Sequence, residues 1–123
     1  MPHSKEDSIR WRVSKLGAQQ LAPARAVIGP NYEQQKQALQ RLLTLYFESD
    51  CDRKAMNISP IAGAPAGGKA LKVRWGYPGC GKRGGLRLVV VANCETRTAV
   101  VSGCWLRKED PTDAEILEAL NSC

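Results

Sequence analysis

The stretch Lys69-Ala-Leu-Lys-Val-Arg-Trp75, followed by Gly76-Tyr-Pro-Gly-Cys-Gly-Lys-Arg-Gly-Gly85 and Leu86-Arg-Leu-Val-Val-Val91, decides the fold. Its first part alternates with period two. Leu71, Val73 and Trp75 fall on one face of a strand over Ala70–Trp75, and Lys72 and Arg74 on the other. A basic, glycine-rich loop follows. Beyond it, Leu86, Leu88 and Val90 face one way, and Arg87, Val89 and Val91 the other. Apolar residues on both faces mark a central strand. If the two strands are neighbours, Lys72, Arg74 and Arg87 project from one face within reach of each other.

Downstream, Asn93-Cys94-Glu95-Thr96 reads as a hairpin turn, and Thr98–Trp105 as the return strand. Pro111-Thr112-Asp113-Ala114-Glu115 is a helix start: Thr112 is the N-cap and Glu115 its capping-box partner. Ile116, Leu117 and Leu120 supply the apolar face of that helix.

Upstream, residues 1–7 read as a polar tail, and Ser8–Leu16 alternates as a strand with one buried face. Ala18–Ile28 suits a short helix interrupted at Pro23, and Gly29-Pro30-Asn31 is a break. Tyr32–Ser49 is the best helix, with Leu39, Leu42, Leu43, Tyr46 and Phe47 at helical spacing. Glu48–Ala66 reads as a loop. The expectation is one α+β domain over 1–123, a twisted antiparallel sheet packed on N-terminal helices, with a short C-terminal helix.

Charge narrows the function. The chain carries a net +6, and no acidic residue lies between Lys54 and Asn93, where seven basic ones do. Such an excess favours a polyanionic partner. His3 is the one histidine, which excludes a histidine-paired serine or cysteine nucleophile and a histidine-rich metal site. Five cysteines, with no Cys-x-x-Cys pair, indicate neither a disulfide framework nor a zinc knuckle. Reduced, mostly structural thiols in a cytoplasmic protein are expected instead. Neither a secretory signal nor a membrane-spanning run is expected, since residues 1–7 have no apolar stretch and no apolar run approaches a span's length.

Two segments imitate a nucleotide-binding P-loop: Gly63 through Gly68-Lys69, and Gly76 through Gly81-Lys82. Each lacks the Ser or Thr that would hold magnesium, having Ala70 and Arg83 there, and neither opens a helix. Nucleotide hydrolysis is set aside. The cation cluster says more, because like charges gathered on a folded face cost stability unless an anion sits among them. Arginine's fork suits phosphate. Tyr77 and Trp105, near the same end, are candidates to stack on bases.

Leu71-Lys72-Val73-Arg74-Trp75, the run Gly81-Lys82-Arg83-Gly84-Gly85-Leu86-Arg87, the apolar hairpin and Lys108-Glu109-Asp110-Pro111-Thr112-Asp113-Ala114-Glu115 together resemble the RelE/HigB family of bacterial toxins. The likeness covers about residues 69–120. It implies a compact α+β domain that cleaves mRNA, typically on the ribosome, and is held inactive by a cognate antitoxin protein of the helix-turn-helix type. It implies in-line attack by the RNA 2′-hydroxyl on the adjacent phosphate, with neither metal nor cofactor. On this resemblance Lys72 would meet the attacking hydroxyl, Arg74 and Arg87 would hold phosphate oxygens, and Lys108 or Arg107 would lie near the leaving oxygen. Lys69, Lys82, Arg83, Tyr77 and Trp105 would line the RNA path. The chain departs from the family at Gly103-Cys104-Trp105, and no tyrosine follows Tyr77. The alternative is a non-catalytic member of the same fold that binds RNA or inhibits a protein target such as DNA gyrase.

Overall fold

The computed structural model describes residues 10–49, 51, 58–61, 63, 68–77, 85–106 and 109–122. It runs β1 (Arg10–Val13), α1 (Lys15–Ile28), a 3-10 turn (Gly29–Asn31), α2 (Tyr32–Glu48), β2 (Ile58–Ile61), β3 (Lys69–Trp75), β4 (Leu86–Asn93), β5 (Thr98–Trp105) and α3 (Asp113–Asn121). The strands form one five-stranded sheet in the order β1-β5-β4-β3-β2.

The α+β class holds, but the sheet is mixed, because β1 runs parallel to β5 while the other neighbours are antiparallel. The expected wholly antiparallel sheet is corrected on this point. Alternation fixes which side chains share a face, not which way a strand runs. A strand that leaves into helices, not a tight turn, is free to pair in parallel.

Strand β4 is buried along nearly its whole length and sits at the centre, as its two apolar faces require. On one side, Leu71, Val73, Trp75, Leu86, Leu88 and Val90 meet Ala24 of α1 and Leu39, Leu43, Tyr46 and Phe47 of α2 in the main core. On the other side, Ala70, Val89, Val91 and Trp105 pack with Ala119 and Leu120 of α3. The C-terminal helix therefore covers part of the face opposite the long helices.

Three local readings change. The first strand ends earlier than expected, because Ser14 leaves it to cap α1, accepting a hydrogen bond from the Gly17 amide at 3.0 Å, while Ser8 and Ile9 lie outside the described residues. Gly17 is required there, since a Cβ would lie 2.3 Å from the Val101 carbonyl oxygen. Helix α1 also runs through Pro23. The amide that proline lacks would have bonded the Gln19 carbonyl, and Gln19 and Pro23 are both exposed, so water can serve that carbonyl. Finally, part of the expected loop is the edge strand β2, with Ile58 buried opposite Val73. Pro60 is exposed there, where an edge strand tolerates it.

The cysteine reading is also corrected: Cys51 and Cys94 are joined in a disulfide, their Cα atoms 6.3 Å apart and 43 residues apart in sequence. Nothing in the local spacing indicated it, because the partners meet only when the end of α2 folds beside the β4–β5 turn. Cys104 is a buried free thiol, pushed up to about 12 by burial, and so stays protonated and structural at neutral pH. Cys80 and Cys123 lie outside the described residues. No helix among the described residues is long and apolar enough to cross a membrane.

Candidate functional site

The strand register builds the site. Arg74 on β3 pairs with Arg87 on β4, and Arg87 pairs with Trp105 on β5. Paired residues project to the same side, so these three form one row across the sheet. Lys72 lies in the next row, opposite Val89, which in turn faces Gly103. The expected grouping of Lys72, Arg74 and Arg87 on one face is what the register gives.

Their environments differ. Arg74 is exposed and Lys72 intermediate, whereas Arg87 is only 5 % exposed. A guanidinium so deep in the sheet needs compensating oxygen atoms. It finds them in Asp110 Oδ1, to which its Nε donates at 3.3 Å, and in the Gly85 carbonyl, reached by an NH group at 3.4 Å. Lys72 Nζ donates to the other oxygen of the same carboxylate, Oδ2, at 2.6 Å. Asp110 thus bridges the two cations with both of its oxygens. The hydrogen bond from Lys72 is the largest cause that holds its carboxyl below the usual aspartate range, and the charges of Lys72 and Arg87 act in the same direction.

Asp110 is the functional residue missing from the site expected on sequence grounds. It belongs to the Lys108–Glu115 run quoted for the resemblance, just ahead of the Pro111–Glu115 helix start, and the sequence assigns it no role there. The requirement for an anion among the cations was the available signal. Pro111, buried, and the Thr112–Glu115 capping box anchor the segment: Thr112 Oγ1 accepts from the Glu115 amide at 3.2 Å, and Glu115 Oε1 accepts from the Thr112 amide at 2.8 Å.

Trp105 occupies the end of the row, but is 7 % exposed. Its ring lies over Gly103, where a Cβ would come within 2.4 Å of it, and beside Ala119. At that exposure little of the indole is available for a base to stack on. A bulge between Val89 and Val90 leaves Ser102 without a pairing partner, and its buried hydroxyl donates to the Val89 carbonyl at 3.1 Å. Tyr77 is half-buried against the main core. Lys69 is two residues from Leu71, and so shares the parity of the helix-covered face. Its Nζ donates to the Cys51 carbonyl at 3.4 Å and does not join the cluster. Lys82, Arg83, Arg107 and Lys108 lie outside the described residues.

A concavity of about 430 Å³ opens on the helix side between β1, α1 and α2, with Trp11, Tyr32 and Trp75 in its wall. Arg25 stands over the Tyr32 ring at 4.9 Å. None of the cation-face residues reaches it. The described residues contain no group of three or more His, Cys, Asp or Glu side chains arranged to hold a metal.

Comparison of the chain with protein-family models, with curated proteins and with solved structures finds no match. Chemically, the cation face can bind an anion through two or three hydrogen-bond donors and can stabilise charge on phosphate oxygens.

Proposed function

We propose that this chain is a metal-independent endoribonuclease acting as a toxin, in the manner of the RelE/HigB family that residues 69–120 resemble. The observation that carries this reading is the Lys72–Arg87 pair closing on one carboxylate, beside exposed Arg74. Donors that grip two oxygens of a carboxylate also suit two oxygens of a phosphate.

In this reading the RNA supplies the nucleophile. The 2′-hydroxyl attacks the adjacent phosphorus, the bond to the 5′-oxygen breaks, and a 2′,3′-cyclic phosphate and a 5′-hydroxyl result. One proton leaves the attacking oxygen and one reaches the leaving oxygen. Arg87 and Arg74 stabilise the charge that builds on the phosphate oxygens. Lys72 stands at the attacking hydroxyl, which it meets once it no longer donates to Asp110. The partners are mRNA on the ribosome and a cognate antitoxin. Arg87→Ala is expected to lower mRNA cleavage in a translation extract about 10²–10³-fold, the usual loss for one transition-state donor. Undiminished cleavage by that variant would remove Arg87 from the site.

The engagement of Lys72 by Asp110, together with the burial of Trp105, favours a second reading. In it, the same face binds RNA without cutting it. A binder contacting about four phosphates loses affinity roughly fifty-fold between about 50 and about 200 mM salt. A flat salt response, with no cleavage, would point instead to a protein target such as DNA gyrase.

A further inference from the structure

We propose that the Asp110 carboxylate occupies the seat of a phosphate group, and that a phosphate-bearing ligand binds by exchanging with it at Lys72 and Arg87. This deepens the RNA reading and, for RNA as the source of the phosphate, rests on it. Both carboxylate oxygens are used, one for each cation. The two oxygens of a phosphate group can take the same two donors. Arg87 is buried, and a buried guanidinium is stable only when paired. The empty site therefore needs an internal anion, and the ligand supplies it when bound. Asp110 is suited to leave because its side chain is 53 % exposed, against 6 % for Arg87. The segment that carries it ends at the N-cap of α3, so the carboxylate can swing out while Thr112 and Glu115 keep the helix capped. Affinity is then set by a competition: the ligand sees only the fraction of molecules in which Asp110 is displaced.

The test uses the full chain and two probes: a short single-stranded oligonucleotide with 2′-O-methyl riboses, which has no attacking hydroxyl, and inorganic pyrophosphate. Asp110→Asn is expected to bind both about tenfold more tightly than the parent, the gain if the closed form holds about nine molecules in ten. Glu109→Gln makes the same change in net charge on an exposed neighbour. It is expected to shift affinity by less than about twofold. A gain for Asp110→Asn no larger than that of Glu109→Gln overturns the exchange.

A measurement on the parent protein covers the case in which Asp110→Asn folds poorly. In an NMR pH titration, the Asp110 carboxyl should titrate below the usual range when the site is empty, and return towards it at saturating pyrophosphate. An unchanged titration also overturns the exchange. The arms separate the two ideas. Arg87-dependent oligonucleotide binding without a gain in Asp110→Asn sinks the exchange and leaves RNA binding intact. A gain for pyrophosphate without oligonucleotide binding supports the exchange and sinks the RNA reading.

Discussion

The two faces of the sheet solve the same problem in opposite ways. The helix-covered face buries Leu71, Val73, Leu86, Leu88 and Val90 against α1 and α2, so its cohesion is apolar and has no single critical pair. The opposite face is divided. Beneath α3 it is apolar, through Val89, Val91 and Trp105. Beyond that helix it carries Lys72, Arg74 and the buried Arg87, with one carboxylate bridging Lys72 and Arg87. Strands β3 and β4 contribute to both faces, so along them the difference lies in odd and even positions. One face can hold the fold while the other retains a charge arrangement that an optimised core would not contain.

This division can be broken by experiment. The largest effect on activity should come from Arg87→Ala, as described above, with the fold retained. The largest effect on stability should come from the other face. Leu43 is fully buried in α2, and Leu43→Ala is expected to cost about 2–5 kcal/mol, measured by chemical denaturation. Below its melting range that variant should still bind the oligonucleotide as the parent does. A loss of binding matching that of Arg87→Ala would show that the faces are not independent.

The smallest effect is that of pH on the Asp110 bridge. The folded-state carboxyl titrates below its unfolded value of about 3.9. Its contribution to stability is therefore complete above about pH 4–5 and is lost as pH falls through the lowered folded value. The carboxylate is half exposed, so solvent and salt limit the contribution to about 1 kcal/mol or less. Melting curves of the parent and Asp110→Asn should differ near neutrality and converge in acid. A constant difference down to the acid limit would assign the effect of the substitution to something other than the ion pair.

Much of the fold was legible in the sequence. Period-two alternation placed β3 and β4, leucines at helical spacing placed α2, and the Thr112–Glu115 box placed the start of α3. Pro23 and Pro60 misled for a shared reason: the cost of a proline depends on whether the lost amide faces protein or water, which local sequence does not specify. Trp105 read as a stacking residue because an aromatic at a strand end is ambiguous until its neighbours are known. Only the fold brings Gly103 beneath its ring and Ala119 beside it.

By itself, the sequence determined which residues alternate, where the central strand lies, and that Lys72 and Arg74 share a face, which Arg87 joins once the register of β3 and β4 is set. Those properties follow from the two-residue repeat of an extended chain. Only the tertiary structure decided that β1 runs parallel to β5, that Cys51 meets Cys94, and that Asp110 closes on the cations. Asp110 lies 38 residues from Lys72 and 23 from Arg87 in the chain. No local periodicity spans such separations. They are bridged because β5 returns beside β4 and delivers the segment before α3 to the end of the sheet, where a buried guanidinium requires an oxygen partner.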